Sequence, residues 1–206
     1  VLAGARLTES DKTALKALNQ ESATLSTRFT NRLLAATKAG GVVFDDAQAL
    51  AGLSDAEKAA AAEAAGARGL NHQWLLALHN TTQQPDLQTL TDRATRETLF
   101  TASWTRAEKG DANDTREVIV RLAQVRAQQA KLLGFDSYAA WKLQDQMAKT
   151  PQAAFDFMRQ IVPAATARAQ READDIQAVI DQQKGGFTLA PWDWQFYAEQ
   201  VRRAKY

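Results

Sequence analysis

A mainly α fold carrying one small two-stranded antiparallel β-hairpin is the architecture this sequence predicts, and three observations predict it. Of 206 residues, 41 are alanine and 19 are glutamine, and both types lose little conformational freedom in a helix. Apolar residues recur at three- and four-residue steps over long stretches, the period of one helix face. Only two short runs, Val42–Phe44 and Trp74–His79, bring β-branched or large apolar residues together beside turn signals.

Taken in order, Thr8 caps the first helix, with Asp11 three residues on as its capping-box partner. Leu15, Leu18, Ser22, Leu25, Phe29, Leu33 and Ala36 then make one stripe, which Gly40-Gly41 ends. The two strand candidates pair as a hairpin, which needs helices behind it to be stable. Between them, Ser54-Asp55-Ala56-Glu57 is a capping box opening an alanine-rich helix to near Arg68-Gly69. That helix has few large apolar residues and is expected on the surface.

After Pro85 the chain reads as helical. One stretch runs from Asp86 to about Lys109 with a break near Thr91-Asp92. The next is capped by Asn113 or Asp114 and reaches Leu133, with Gly134 where a C′ glycine belongs. Ser137 caps a helix to Met147. Thr150-Pro151 opens a long one to Gln183, in which Pro163 should produce a bend at Val162 and which Gly185-Gly186 closes. Pro191 precedes a final aromatic-rich helix. No repeat or linker divides the chain, so residues 1–206 read as a single helical segment.

Composition excludes several classes. The formal net charge is +1 and there is no cysteine, which argues against nucleic acid as a partner and removes disulfides, Cys-ligated metals and thiol catalysis. No apolar run is long enough for a membrane span, so no membrane partner is expected. The absence of targeting signals and of cysteine favours a cytoplasmic setting. The chain begins with Val1 and stops at Ala204-Lys205-Tyr206, and reads as part of something longer.

The residues themselves offer no active site. His72 and His79 are the only histidines, and an odd separation places them on opposite faces of a strand. Ser10, Ser22, Ser26, Ser54, Ser103 and Ser137 lie inside helices or at caps, and none stands in a nucleophile elbow. Glu172, Asp174 and Asp175, like Asp45-Asp46, read as solvated carboxylates. Arg93, Arg96 and Arg106, with Arg116, Arg121 and Arg126, could bind carboxylate or phosphate; the plainer reading pairs them with Asp111, Asp114 and Glu117. Of Trp192 and Trp194, too close to share a helix face, one is expected in the core. The basic end at Arg202, Arg203 and Lys205 beside Tyr197 and Tyr206 is the only hint of a nucleic-acid platform.

A resemblance adds what the residues do not. Arg93-Ala94-Thr95-Arg96-Glu97 is followed by Trp104-Thr105-Arg106, Asn113-Asp114-Thr115-Arg116 and Arg126-Ala127-Gln128-Gln129-Ala130. Leu133-Gly134-Phe135 and Tyr138 come next, then Gln146-Met147-Ala148-Lys149-Thr150-Pro151, then Pro191-Trp192-Asp193-Trp194 with Phe196-Tyr197. In that order, and with Leu2-Ala3-Gly4-Ala5 and the Asn80 to Pro85 run upstream, the sequence resembles the thimet-oligopeptidase-like zinc metallopeptidases, nearest to their bacterial peptidyl-dipeptidases.

The resemblance implies a largely helical, two-lobed enzyme whose deep cleft admits short peptides. It also implies a zinc-activated water held by a His-Glu-x-x-His helix, removing C-terminal dipeptides. That motif is not among these 206 residues. The chain is therefore expected to be an internal, non-catalytic wall and scaffold. Its partners would be peptide substrates and the remaining segments of the same polypeptide. No catalytic or metal residue is assigned, and substrate-binding residues are unknown. Alone, the chain is expected to bind no zinc and to hydrolyse nothing, and apolar faces meant for the rest of the polypeptide should lie exposed. The competing expectation is a stand-alone helical scaffold or interaction module.

Overall fold

The computed structural model describes residues 4–205, without the side chains of residues 80–84. The elements run α1 (Glu9–Ala39), β1 (Val42–Phe44), α2 (Asp55–Gly66), β2 (Trp74–Leu76), α3 (Asn80–Thr89), α4 (Arg93–Trp104), α5 (Arg116–Leu132), α6 (Tyr138–Leu143), α7 (Pro151–Gln182) and α8 (Trp194–Lys205), with short 3-10 turns at Ala47–Leu50 and Pro191–Asp193. The mainly α architecture with one antiparallel hairpin is as the sequence predicts. What reads in sequence as one undivided segment gathers in space into two compact units, Val1–Leu33 with Gly110–Thr166 and Leu34–Lys109 with Ala167–Tyr206.

In the first unit the α1 stripe finds its partner in α5. Leu25 packs with Val118 and Val125 while Leu18, Phe29 and Leu122 close around them. Burying each such side chain is worth about 1.5–3 kcal/mol. Thr8 Oγ1 accepts the Asp11 amide at 3.2 Å and donates to the Asp11 carboxylate at 2.7 Å, the capping arrangement its sequence suggests. The carboxylate of Asp114 takes the Arg116 amide at 3.0 Å and the Gly110 amide at 2.8 Å. Thr115 stands at the boundary position without a side-chain cap bond, so the capping that the sequence expects of Asp114 comes from its carboxylate on the first amide of α5. At the other end of α5, Gly134 adopts φ +83, and the Phe135 and Gly134 amides reach back to the Ala130 and Lys131 carbonyls. That is a Schellman closure. Ser137 caps α6, which stops at Leu143 rather than Met147.

The second unit holds the larger core. Leu50, Leu53, Leu78, Leu87, Leu90 and Leu99 form one cluster, with Ala61 of α2 among them. As expected, α2 lies on the surface, with most of its residues exposed and only Ala61 and Ala65 buried; the small side chains of that inner face let its backbone approach the hairpin. The hairpin register pairs Val42 with Leu76 and Phe44 with Trp74. β2 stops at Leu76 because β1 is only three residues long and is preceded by Gly40-Gly41. Gly52, at φ +99, sits where a Cβ would fall 1.9 Å from the Thr89 carbonyl oxygen. That close approach lets the Thr91 amide donate to the Ala51 carbonyl at 2.9 Å.

The start of α3 differs from the sequence reading, and the closure of α7 adds a detail to it. α3 begins at Asn80, and Pro85 lies inside it rather than before it. One turn in, a proline removes a single intrahelical bond. α7 closes through Lys184, which takes φ +58, while the Gly185 amide donates to the Ile180 carbonyl. The glycine is needed one position later, where a Cβ would press on Ile180 Cγ2 at 2.8 Å. α7 is continuous through Pro163.

Candidate functional site

The most organised polar group among the described residues surrounds Asp193, in the turn just before α8. Its carboxylate is fully buried. Arg93 of α4 binds it in a fork, Nε to Oδ1 at 3.0 Å and Nη2 to Oδ2 at 2.9 Å. Arg96, one helical turn on, adds Nη2 to Oδ1 at 3.1 Å. The carboxylate also accepts the Ala190 amide at 3.1 Å. A buried carboxylate survives only with such complete pairing.

Arg96 does more than neutralise. Its Nη1 donates to the carbonyls of Leu90 at 2.9 Å and Thr91 at 3.0 Å, so one guanidinium joins the end of α3, the start of α4 and the turn before α8. Aromatic rings complete the enclosure. Phe187 lies 4.2 Å from the Arg93 guanidinium and Phe196 4.3 Å from that of Arg96, within cation–π range. The Asp193 hydrogen bonds raise the Arg93 pKa further above its ordinary value. Bidentate, ring-stacked arginine of this kind has no lysine equivalent.

Beside the cluster, still within the second unit, a cleft of about 650 Å³ is lined by Leu87, Phe100, Trp104, Leu189, Pro191 and Trp194, with Arg106 at its margin. Trp104 is exposed and stacks on Phe100 at 5.7 Å. Arg106 is fastened by bonds to the Ser103 carbonyl and hydroxyl and to the Leu78 carbonyl, which ties the hairpin exit to the end of α4.

The six arginines thus separate. Arg116 pairs with Asp114, as the plainer reading expects. Arg93 and Arg96 do not pair with Asp111, Asp114 or Glu117 but converge on Asp193, a residue that reads in sequence only as part of a turn. Arg121 binds Glu21 of α1 at 2.6 Å and draws its pKa down, and Arg126 lies over the Tyr138 ring at 5.2 Å. Trp192 and Trp194 are both half-buried instead of dividing into core and surface, since each flanks the buried Asp193. His72 sits in a turn at φ +62 and His79 occupies the N-cap position of α3 without a side-chain cap bond; with β2 ending at Leu76, neither belongs to a strand.

The carboxylates are engaged locally. Glu172 pairs with Arg168, Asp175 with Lys205, Asp174 with Gln170 and Asp45 with Gln73, while Asp46 caps the 3-10 turn that follows it. The basic end is likewise neutralised: Arg202 and Arg203 both bind Glu199, whose pKa is lowered to about 2. Among the described residues no three or more His, Cys, Asp or Glu stand together as a metal ion would require, and no helix is long and apolar enough to cross a membrane. What the arrangement does is structural: it locks helix ends and a turn around one buried charge.

Across all 206 residues the chain is 64% identical to the dipeptidyl carboxypeptidases of Escherichia coli and of Salmonella typhimurium. It is 30% identical over 186 residues, 88% of its length, to oligopeptidase A of Haemophilus influenzae. The chain spans about 30% of the length of the two dipeptidyl carboxypeptidases and 27% of that of the oligopeptidase. The model of peptidase family M3 matches residues 87–206, the stretch that carries Arg93, Arg96, the cleft and Asp193, and the chain belongs to that family.

Proposed function

We propose that this chain is part of the scaffold of a zinc-dependent peptidyl-dipeptidase, an enzyme that removes dipeptides from the C-termini of short peptides in the cytoplasm. The observation that carries the reading is the 64% identity, unbroken over the whole chain, to proteins named for that activity. The described residues do not fit a zinc centre, since no ligand set is gathered among them. In this reading the metal and the water it activates belong to residues outside these 206. The contribution of this chain is rigidity: the Asp193 cluster holds α3, α4 and the start of α8 in fixed register.

The test is an N-blocked tripeptide offered to two proteins, the full-length polypeptide containing this segment and the 206-residue chain alone. The longer protein should release the C-terminal dipeptide, lose that activity to a chelator and regain it with zinc. The 206-residue chain should release nothing. Release of single residues, activity indifferent to chelator, or hydrolysis by the short chain would each overturn the proposal, as would a coding sequence holding only these residues.

A further inference from the structure

The first sixteen residues of α7 belong to the first unit, and they are amphipathic with the apolar side uncovered. At 100° per residue, Phe155, Met158 and Val162 fall on one line and Phe157 and Ile161 on the line beside it. All five are exposed, Phe157 by 63%. Gln152, Asp156, Arg159 and Gln160 occupy the opposite side. Apart from the Arg159 guanidinium, 6.0 Å from the Phe155 ring, no described cation or ring lies over this face. An apolar stripe of that breadth on a helix ordinarily faces a core, and contiguous apolar surface of this kind marks an interaction site.

The later part of the same helix shows what such a stripe takes when the chain supplies it. In the second unit, Ile176 and Ile180 are buried under Trp194, Tyr197 and Val201 of α8. One helix thus carries two apolar stretches, one covered by an amphipathic aromatic helix and one bare. Its polar side holds one acid and one base, Asp156 and Arg159, so it lacks the lysine- and arginine-rich character of a helix that lies on anionic lipid. The matched relatives are about three times the length of this chain.

We propose that the Phe155–Val162 face of α7 is the seat of an apolar, helical segment of the same polypeptide lying outside these 206 residues. The inference rests on the reading that the chain is part of a longer peptidase. The occupant presents aliphatic and aromatic side chains at three- and four-residue spacing, as α8 does.

The test is carried out on the full-length polypeptide. Met158→Cys, Val162→Cys and, on the polar side, Gln160→Cys are made singly, and maleimide labelling of each site is followed by mass spectrometry. Oxidative footprinting of Phe155, Phe157 and Met158 in the unmodified protein gives a reading that needs no variant. The expected result is labelling at least tenfold slower at positions 158 and 162 than at 160, with footprints at the three native residues that deepen only on unfolding. Equal labelling rates overturn the proposal. So does protection that disappears on dilution as a dimer dissociates, which assigns the face to a second copy. Protection that appears only with phosphatidylcholine–phosphatidylglycerol vesicles also overturns it. Dipeptide release is assayed on the same samples. A protected face without release counts against the enzyme and leaves the covered face standing; release with an open face does the reverse.

Discussion

Arg96–Asp193 in one unit and Arg121–Glu21 in the other are both arginine–carboxylate pairs bridging elements distant in sequence, and they differ in almost everything that decides energy. The first pair is 1% and 0% exposed, the second 42% and 36%. Out of water, a charge without its partner is costly, so the group must be kept complete. In water, the Coulomb gain is screened and side-chain entropy offsets it. Geometry does not reveal this difference, since the exposed pair has the shorter contact, 2.6 Å against 3.1 Å. Burial does.

The largest expected effect tests the buried side. Asp193→Ala leaves Arg93 and Arg96 facing each other without a counter-charge and should cost about 3–5 kcal/mol, read from urea unfolding followed by tryptophan fluorescence. A loss under about 1 kcal/mol would mean that water reaches the cluster and would erase the contrast.

Asp86 sharpens it from another direction, as a buried carboxylate whose surroundings work against its charge. Burial first, and the nearby charge of Glu57 second, raise its pKa to about 6. Between the unfolded value near 4 and 6, the folded state binds more protons than the unfolded one, so stability falls as pH rises through that window and is flat above it. Asp86→Asn should therefore stabilise by roughly 2–3 kcal/mol at pH 7 and change little at pH 4. A gain equal at both pH values would show that the effect is not electrostatic.

Lys184 poses a smaller test, in backbone rather than charge. It holds the left-handed closing position of α7 at φ +58, which glycine adopts without steric cost. Lys184→Gly should stabilise by about 0.5–1 kcal/mol in thermal unfolding, and destabilisation would mean that the lysine side chain contributes a contact worth more than the strain. Last comes the exposed pair itself. Arg121→Ala should leave the urea midpoint within measurement error at moderate salt, and the small shift left at low salt should vanish as salt is added. A midpoint shift comparable to that of Asp193→Ala would abolish the comparison.

How much of this was legible follows the range of the interactions. The Thr8, Ser54 and Ser137 caps, the α1 stripe from Leu15 to Ala36, the hairpin and the Gly134 closure are decided within a few residues, and each stands in the structure where the sequence places it. The register Arg93-x-x-Arg96 is visible as two cations on one helix face. That their partner is Asp193, a hundred residues away, carries no local mark. The only signal was its setting between two tryptophans in a proline turn, where a charged residue is out of keeping with its neighbours. The surface position of α2 was legible from its lack of large apolar residues; that Ala61 and Ala65 form its inner face was not, because alanine counts as weakly apolar although its small size permits close packing.

By itself the sequence determined most of the helices, the caps at Thr8, Ser54 and Ser137 and the hairpin, because propensity, capping chemistry and hydrophobic period act over one or two turns. It also determined the family, through many short stretches kept in one order. Tertiary structure alone decided which of six arginines is buried, which carboxylate it needs, and which stretch of α7 is left bare. Those are questions of what water can reach, and only the folded chain excludes water.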